Sequence, residues 1–366
     1  MIVLPTALDL PAVASAVPDS GCRPAYLRVD DYLETLVGAR ALASGFELGL
    51  IDALIPGGCE RRVLTGTLGL SDRSLALLTG LLCATGVLGA VGPGVGEAEA
   101  VALTPGFRAA LAFRDLIETK LAFCALLLPD LAEGFTRLLA DPQGFMASSR
   151  VFELFRYDLC VEPTPVNLAH TRRWMHFTTV LTRYEAPVCL DHYDCGGHRR
   201  VLDIGGNSGE FMRQLCRRHA QVRATVFDLP VVCRIGAEHL ADTPEAARVA
   251  FVPGDARRDA LPAGHDLICF KSMLHDWPDA DARALLARAT QVLTPGGTLL
   301  IFERGPLEWA GRLPGYAQIP LLLFAGFYRS PMFYAQALEG LGLTAIDLVR
   351  VELDQPFFLI TARKPQ

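Results

Sequence analysis

The sequence predicts an α/β protein: a second half built on a mostly parallel sheet, preceded by a mainly helical module. Three observations predict it. From residue 201 short apolar runs alternate with helical runs, the pattern of strands joined by helical crossovers. Before residue 200, apolar residues recur at helical spacing in long blocks. The chain is 366 residues long, 51% hydrophobic and 20% charged, enough for two or three cored units and too apolar for wholesale disorder.

Residues 1–25 read as an irregular lead-in. They lack a basic n-region and Asp9 interrupts them, so they do not read as a signal peptide. Residues 31–55 have helical periodicity, weakened by Gly38, Gly45 and Gly49. Ser71 and Asp72 are capping residues for a helix from Arg73. Gly86 and Gly89 bracket a turn, and 91–107 reads as a Gly-rich hairpin. Helix, helix and two-stranded wing is the shape of a winged helix. The candidate recognition helix, 73–84, has only Arg73 as a base and is otherwise apolar, which suits a partner chain rather than a polyanion. We therefore expect a dimerisation module over 1–110. Helical blocks at 114–140 and 166–193 follow, with Pro163 and Pro165 setting the start of the second. They form a connector, 111–198, expected to line a pocket. The sheet unit spans 199–366, with strands expected near 201–205, 223–230, 248–255, 265–271 and 297–303, then a helix and two closing antiparallel strands.

Formal charge is -6 and the pI about 5.8, with no basic stripe for nucleic acid. The longest apolar stretches contain charge, Pro or Gly, so no membrane span is expected. The ten cysteines include no C-x-x-C pair, which excludes a zinc knuckle or dithiol motif and suits buried free thiols in a reducing, cytoplasmic setting.

Ligands of such sheets bind beyond the carboxyl ends of the strands. The first end reads V201-L-D-I-G-G-N-S-G209. Gly205 and Gly206 permit a tight turn, and Gly209 permits close approach of the next helix. Asp203 ahead of them is awkward for a pyrophosphate. It suits a ligand with an amino group, a positive sulfur and no phosphate, as in S-adenosylmethionine. Asp228, at the second end, can accept from vicinal ribose hydroxyls. Asp255, at the third, can accept from an adenine amino group, with Ala256 leaving room for the ring. The fourth runs into F270-K-S-M-L-H-D-W-P278. His275 stands where a general base belongs, Asp276 can orient a ring and Trp277 can wall the site. Glu303, at the fifth end, can fix the imidazole tautomer. His275 and Asp276 are metal-ligand types, but no third ligand stands at a known spacing, so no metal is expected.

VLDIGGNSG, FDLP, LHDWPD and LTPGGTLLIFE, with the helical first half, resemble the S-adenosylmethionine-dependent small-molecule O-methyltransferases of the plant caffeate and bacterial polyketide type. The resemblance covers roughly residues 30–363 and is looser in the first half. It implies a Rossmann-like methyltransferase domain behind a winged-helix dimerisation domain, in a homodimer acting in specialised metabolism. It implies His275 as catalytic base and Glu303 as one of two glutamates flanking it. Asp228 and Leu229 match the family's ribose contacts, Asp255 and Ala256 its adenine side, and Lys271 a position whose backbone meets the cofactor. One departure stands out: the second flanking glutamate appears here as Tyr328, in G326-F-Y-R-S330. A phenol cannot supply a carboxylate's charge, and relatives with altered clamps include C-methyltransferases.

The expected acceptor is the hydroxyl of a small aromatic metabolite. Candidate pocket residues are Trp174, Met175, His176, Phe177, Asp276, Phe327 and Tyr328, with Arg172, Arg173 or Arg329 for an acidic substrate. The alternatives are methylation of carbon in an aromatic amino acid, phenolic ring or aryl α-keto acid; a non-catalytic dimeric regulator; and a dehydrogenase, which leaves Asp203 unexplained.

Overall fold

The computed structural model describes residues 23–91, 100–308, 311 and 313–366. Most of the expected lead-in and the tip of the hairpin lie outside the described residues. In the first half three short strands, β1 (Cys59–Glu60), β2 (Leu88–Val91) and β3 (Ala100–Leu103), form an antiparallel sheet in the order β1-β3-β2. Leu88 pairs with Leu103 and Val91 with Ala100, so the hairpin's two strands are present.

The helix expected over 31–55 is broken. A 3-10 stretch, Ala25–Tyr32, precedes helices Leu36–Glu47 and Leu50–Leu54. Gly49 between them has φ +78°, a left-handed conformation that lets the chain turn where an L side chain would be strained. Ser71 caps Asp72–Ala84, its hydroxyl accepting from Ser74 N at 3.1 Å, a contact worth about 1 kcal/mol. That helix buries Leu75, Leu78 and Leu82 and leaves Leu77 66% exposed.

Two long helices span the middle, Arg114–Ala140 and Pro165–His192. Thr164 caps the second through Asn167 N at 3.2 Å, and Pro165 follows in the first turn, where no backbone N–H is needed. The helical core also takes in Tyr316, Ala317, Ile319 and Leu323 from late in the chain. Backbone bonds from Tyr316 N to Glu34 O (3.0 Å) and Ala317 N to Leu33 O (3.1 Å) fasten this segment to the first helices.

The large sheet comprises β4 (Arg200–Ile204), β5 (Arg223–Asp228), β6 (Val249–Pro253), β7 (His265–Lys271), β8 (Leu293–Arg304), β9 (Thr344–Glu352) and β10 (Pro356–Arg363). Their order is β6-β5-β4-β7-β8-β10-β9. The first five are parallel, and β10 runs antiparallel to β8 and β9. Alternation on β4 sends Val201 into the core on one face and Leu202 and Ile204 into the other. Strand order reverses between β4 and β7, which opens a crevice beyond their carboxyl ends.

Candidate active site

The ends of β4 to β8 border a cavity of about 400 Å³. After β4 the backbone turns through three left-handed residues, Gly205 (φ +70°), Asn207 (+54°) and Gly209 (+74°). A β-carbon on Gly205 would collide with the Met273 side chain. Gly205 and Asn207 line the cavity, whereas Gly206 and Gly209 do not. Gly206 covers Asp203, whose Oδ2 would lie 2.6 Å from an added β-carbon; at Gly209 an added β-carbon would lie 2.8 Å from Phe251 Cζ. Those two glycines let the turn pack closely against Asp203 and Phe251.

Asp203 is buried, and neither carboxylate oxygen has a hydrogen-bond partner among the described residues. Burial pushes it up to about 8, with Lys271 opposing and Asp228 adding. A cation is what this carboxyl lacks. Asp228 accepts from Asn207 N (2.8 Å) on Oδ2 and Leu229 N (2.7 Å) on Oδ1, leaving lone pairs on both oxygens. Burial raises it to about 6 against those two N–H groups. An orphaned carboxyl under a glycine turn and a half-satisfied carboxylate at the next strand end fit an aminoacyl nucleoside.

Asp255 lines the cavity with both carboxylate oxygens already engaged. Its Oδ1 accepts from Arg257 N and Nε (both 3.0 Å), and its Oδ2 from Arg257 Nη2 (2.9 Å) and Arg258 Nε (2.8 Å). Burial pushes it up, but Arg257 and Arg258 prevail and hold it at about 2. The carboxylate is therefore paired within the protein. Arg257 also lies 4.1 Å over the Trp277 ring. Leu229, Ala256 and Lys271 line the cavity as expected positions, though the Lys271 ammonium is bound to Glu185 Oε2 (2.5 Å) and Thr182 Oγ1 (3.2 Å).

His275 follows β7 on a 3-10 turn and lines the cavity. Glu303, 1% exposed at the end of β8, approaches His275 Nδ1 to 2.7 Å through Oε2. Its Oε1 accepts from Met273 N and Leu274 N, both at 2.7 Å. The turn that presents the histidine and the carboxylate that grips it are thus one hydrogen-bonded unit. Burial pulls the His275 pKa down, but Glu303 and Asp276 outweigh it and the net shift is upward. Asp276 Oδ1 lies 3.4 Å from His275 Nε2, and its Oδ2 accepts from Tyr157 Oη at 2.9 Å. Tyr328 stands edge-on to the imidazole, 5.7 Å between centroids.

Aromatic side chains form much of the remaining wall. Phe152 packs on Phe324 (5.5 Å) and Phe327 (5.7 Å), and Phe155 on Trp174 (5.8 Å). Trp174, Phe177, Asp276, Phe327 and Tyr328 line it; Met175 and His176 do not. Met175 is buried behind that wall, in a cluster with Trp174, Leu154 and Val231, and His176 is exposed. Arg172 pairs with Glu238, Arg173 is exposed, and Arg329 is bound to Asp279 and to the carbonyls of Leu274 and Trp277. None of those arginines lines the cavity.

Lys120, Tyr157, Glu185 and Arg304 are among the lining residues that escaped the sequence reading. Glu185 joins Lys271 to Arg304, whose Nη2 donates to its Oε1 at 2.5 Å. Burial pushes Glu185 up, but Arg304 and Lys271 bring it to about 2. Arg304 adjoins Glu303 at a strand end, a signal that was present; Glu185 sits mid-helix with no such signal. Among the described residues no three His, Cys, Asp or Glu side chains group as a metal site, and no helix is long and apolar enough to cross a membrane.

Residues 167–335 match the family model of the O-methyltransferase domain. The 3-hydroxy-5-methyl-1-naphthoate 3-O-methyltransferase of Streptomyces sahachiroi is 29% identical over 305 residues, 79% of each chain. Several other relatives match over less than half of their own length. Among solved structures, the apo S-adenosylmethionine-dependent methyltransferase SibL superposes with a TM-score of 0.67 at 22% identity, covering 90% of this chain and 96% of that one. Human N-acetylserotonin methyltransferase in complex with S-adenosylmethionine gives 0.65 at 20% identity, covering 95% and 99%. At those identities the structures speak for the Rossmann-like fold alone. Residues 167–335 thus carry an O-methyltransferase domain, in a chain whose relatives include O-methyltransferases. It is a small-molecule methyltransferase whose cofactor is S-adenosylmethionine.

Proposed function

We propose that this enzyme methylates a hydroxyl of a small aromatic acceptor, with His275 as general base. The observation that carries the reading is the grip of Glu303 on His275. An ionised carboxylate only accepts, so Nδ1 carries the proton and donates to Glu303, which leaves Nε2 as the basic nitrogen. Nε2 takes the acceptor's hydroxyl proton. Glu303 and Asp276 then face the resulting imidazolium from either side. When bound, S-adenosylmethionine supplies a methyl carbon that passes to the acceptor oxygen while the carbon–sulfur electron pair stays on sulfur. Asp203 meets the cofactor's ammonium, and the remaining lone pairs of Asp228 take the ribose hydroxyls.

Aromatic walls favour a planar acceptor, and the Streptomyces sahachiroi relative is named for a hydroxynaphthoate. We place 1–110 as a winged-helix dimerisation domain, 111–198 as a connector and 199–366 as the catalytic domain of a homodimer. Leu36 (44%), Val37 (59%), Leu48 (42%) and Leu77 (66%) leave an exposed apolar surface that suits a second copy. Nine free thiols among the described residues suit the cytoplasm. Tyr328 beside His275 favours a second reading, methylation of a ring carbon activated by its neighbouring hydroxyl.

The test is an acceptor panel with methyl-labelled S-adenosylmethionine, read by mass spectrometry and product NMR. Catechols, phenolic acids, aromatic polyketides and aryl α-keto acids form the panel. A labelled methoxy group supports the proposal, and a labelled carbon-bound methyl moves it to the second reading. No label in any product, with S-adenosylhomocysteine still bound, supports a non-catalytic regulator.

A further inference from the structure

Among the described cations that line the cavity, Arg304 has the most donors without a partner. Arg304 is 13% exposed and lines the cavity at the end of β8. A guanidinium carries five N–H donors in a fixed fork. Among the described residues Arg304 makes one hydrogen bond, to Glu185 Oε1. None of its nitrogens is among the buried polar atoms closed off without a partner, so the others keep some exposure on a residue that lines the cavity. One face of the guanidinium is covered by Phe357, 4.7 Å from the ring centroid, which fixes the plane of the fork.

The other lining cations are engaged. Lys271 is bound by Glu185 and Thr182, Lys120 by Asp30 (2.6 Å) with Asp354 at 3.6 Å, and Arg257 by Asp255. Net charge does not single out Arg304, since Lys120 between two carboxylates balances Glu185 between two cations. What singles it out is unmatched donor geometry. Tyr328 Oη, with no hydrogen-bond partner among the described residues, adds a donor to the cavity lining. Its ring lies 5.7 Å from that of His275, about one aromatic ring's width.

We propose that Arg304 and Tyr328 anchor a carboxylate on the acceptor, so that the substrate class is a hydroxylated aromatic acid. The carboxylate and the reacting hydroxyl then lie on the same or a fused ring, one at Arg304 and the other at His275. This rests on the aromatic-acceptor reading above. Carboxylate chemistry also occurs in the cofactor's aminoacyl tail, and the experiment separates the two sources.

Matched acids and methyl esters, 2,3-dihydroxybenzoate and 3-hydroxy-2-naphthoate with their esters, are titrated calorimetrically into the S-adenosylhomocysteine complex. The wild type is expected to bind acids about ten-fold or more tightly than esters, as a charge-assisted pair in a dry site implies. Arg304→Gln removes that preference and leaves the affinity for S-adenosylhomocysteine unchanged. Arg304→Lys, which keeps the charge and the Glu185 pair but loses the fork, retains part of the preference and serves if Arg304→Gln fails to fold. The proposal is overturned if the wild type shows no preference, if the preference survives Arg304→Gln, or if no acid binds. It is equally overturned if cofactor affinity falls with acid affinity, which assigns Arg304 to the aminoacyl tail. Because these are binding measurements, an acid preference without label transfer to any acceptor would sink the methyl-transfer reading and spare this one.

Discussion

Glu303 makes three contacts with two oxygens, and each has a separate consequence. Oε1 holds the backbone of Met273 and Leu274, which fixes the turn; Oε2 holds the imidazole and sets its tautomer. Glu303→Gln keeps the shape but removes the charge that raises the His275 pKa. The base is active when neutral, so the acid limb of kcat/KM should lie above the ordinary histidine value of 6.5 in the wild type. In Glu303→Gln that limb should move to lower pH while the plateau drops by roughly 10²-fold. A limb that stays in place would separate Glu303 from the base. Asp203 makes a second expectation. It is protonated at neutral pH with a pKa of about 8, and an ammonium beside it favours the charged form. Binding of S-adenosylhomocysteine at pH 7 should therefore release protons, seen as a dependence of the calorimetric enthalpy on buffer ionisation, and Asp203→Asn should abolish the release. The sequence located both carboxylates because each ends an apolar strand. It did not show that Asp255 is engaged by Arg257 and Arg258, because that pairing depends on local geometry that spacing alone does not display.

Among elements, the helix Pro165–His192 shows both the reach and the limit of periodicity. Trp174, Phe177, Thr178, Leu181, Thr182 and Glu185 face the cavity at steps of three and one, the stripe of a helix turning about 100° per residue. His176 is two steps from Trp174 and so points away. Choosing 174–177 as a consecutive block ignored that rotation. The strands were legible because each is a short apolar run, and the helix over 31–55 was misjudged because Gly49 breaks it with a left-handed residue. The loop after β4 is the least tolerant element. In Gly205→Ala the new methyl meets Met273 at a φ of +70°, so the loop must shift. Affinity for S-adenosylhomocysteine should fall at least about ten-fold, with the sheet's melting transition little changed. Unchanged affinity would remove this loop from the cofactor site.

At the scale of the molecule, the exposed apolar face of the first helices is the clearest unfinished surface. Leu36, Val37, Leu77 and Leu81 border a shallow depression there. If a second copy covers it, Leu77→Glu should convert a dimer to a monomer in light scattering after size exclusion. A wild-type monomer at micromolar concentration would discard the homodimer. Domain limits were less legible, because residues 316–323 pack with the first helices although they follow β8 in sequence. Only the folded chain brings such distant segments together.

That packing divides the cavity by ancestry of parts. The carboxylates and left-handed turn proposed for the cofactor come from the ends of neighbouring parallel strands and the turn that follows, where each position is constrained by the sheet. The aromatic walls come from helices and from the 316–328 segment, where side chains meet across packing contacts and no backbone ladder fixes them. Substitutions at Phe152, Phe324 or Phe327 can therefore reshape what the pocket admits while the methyl donor's seat stays intact. Drift in acceptor preference is cheap in this architecture, and drift in donor preference is not.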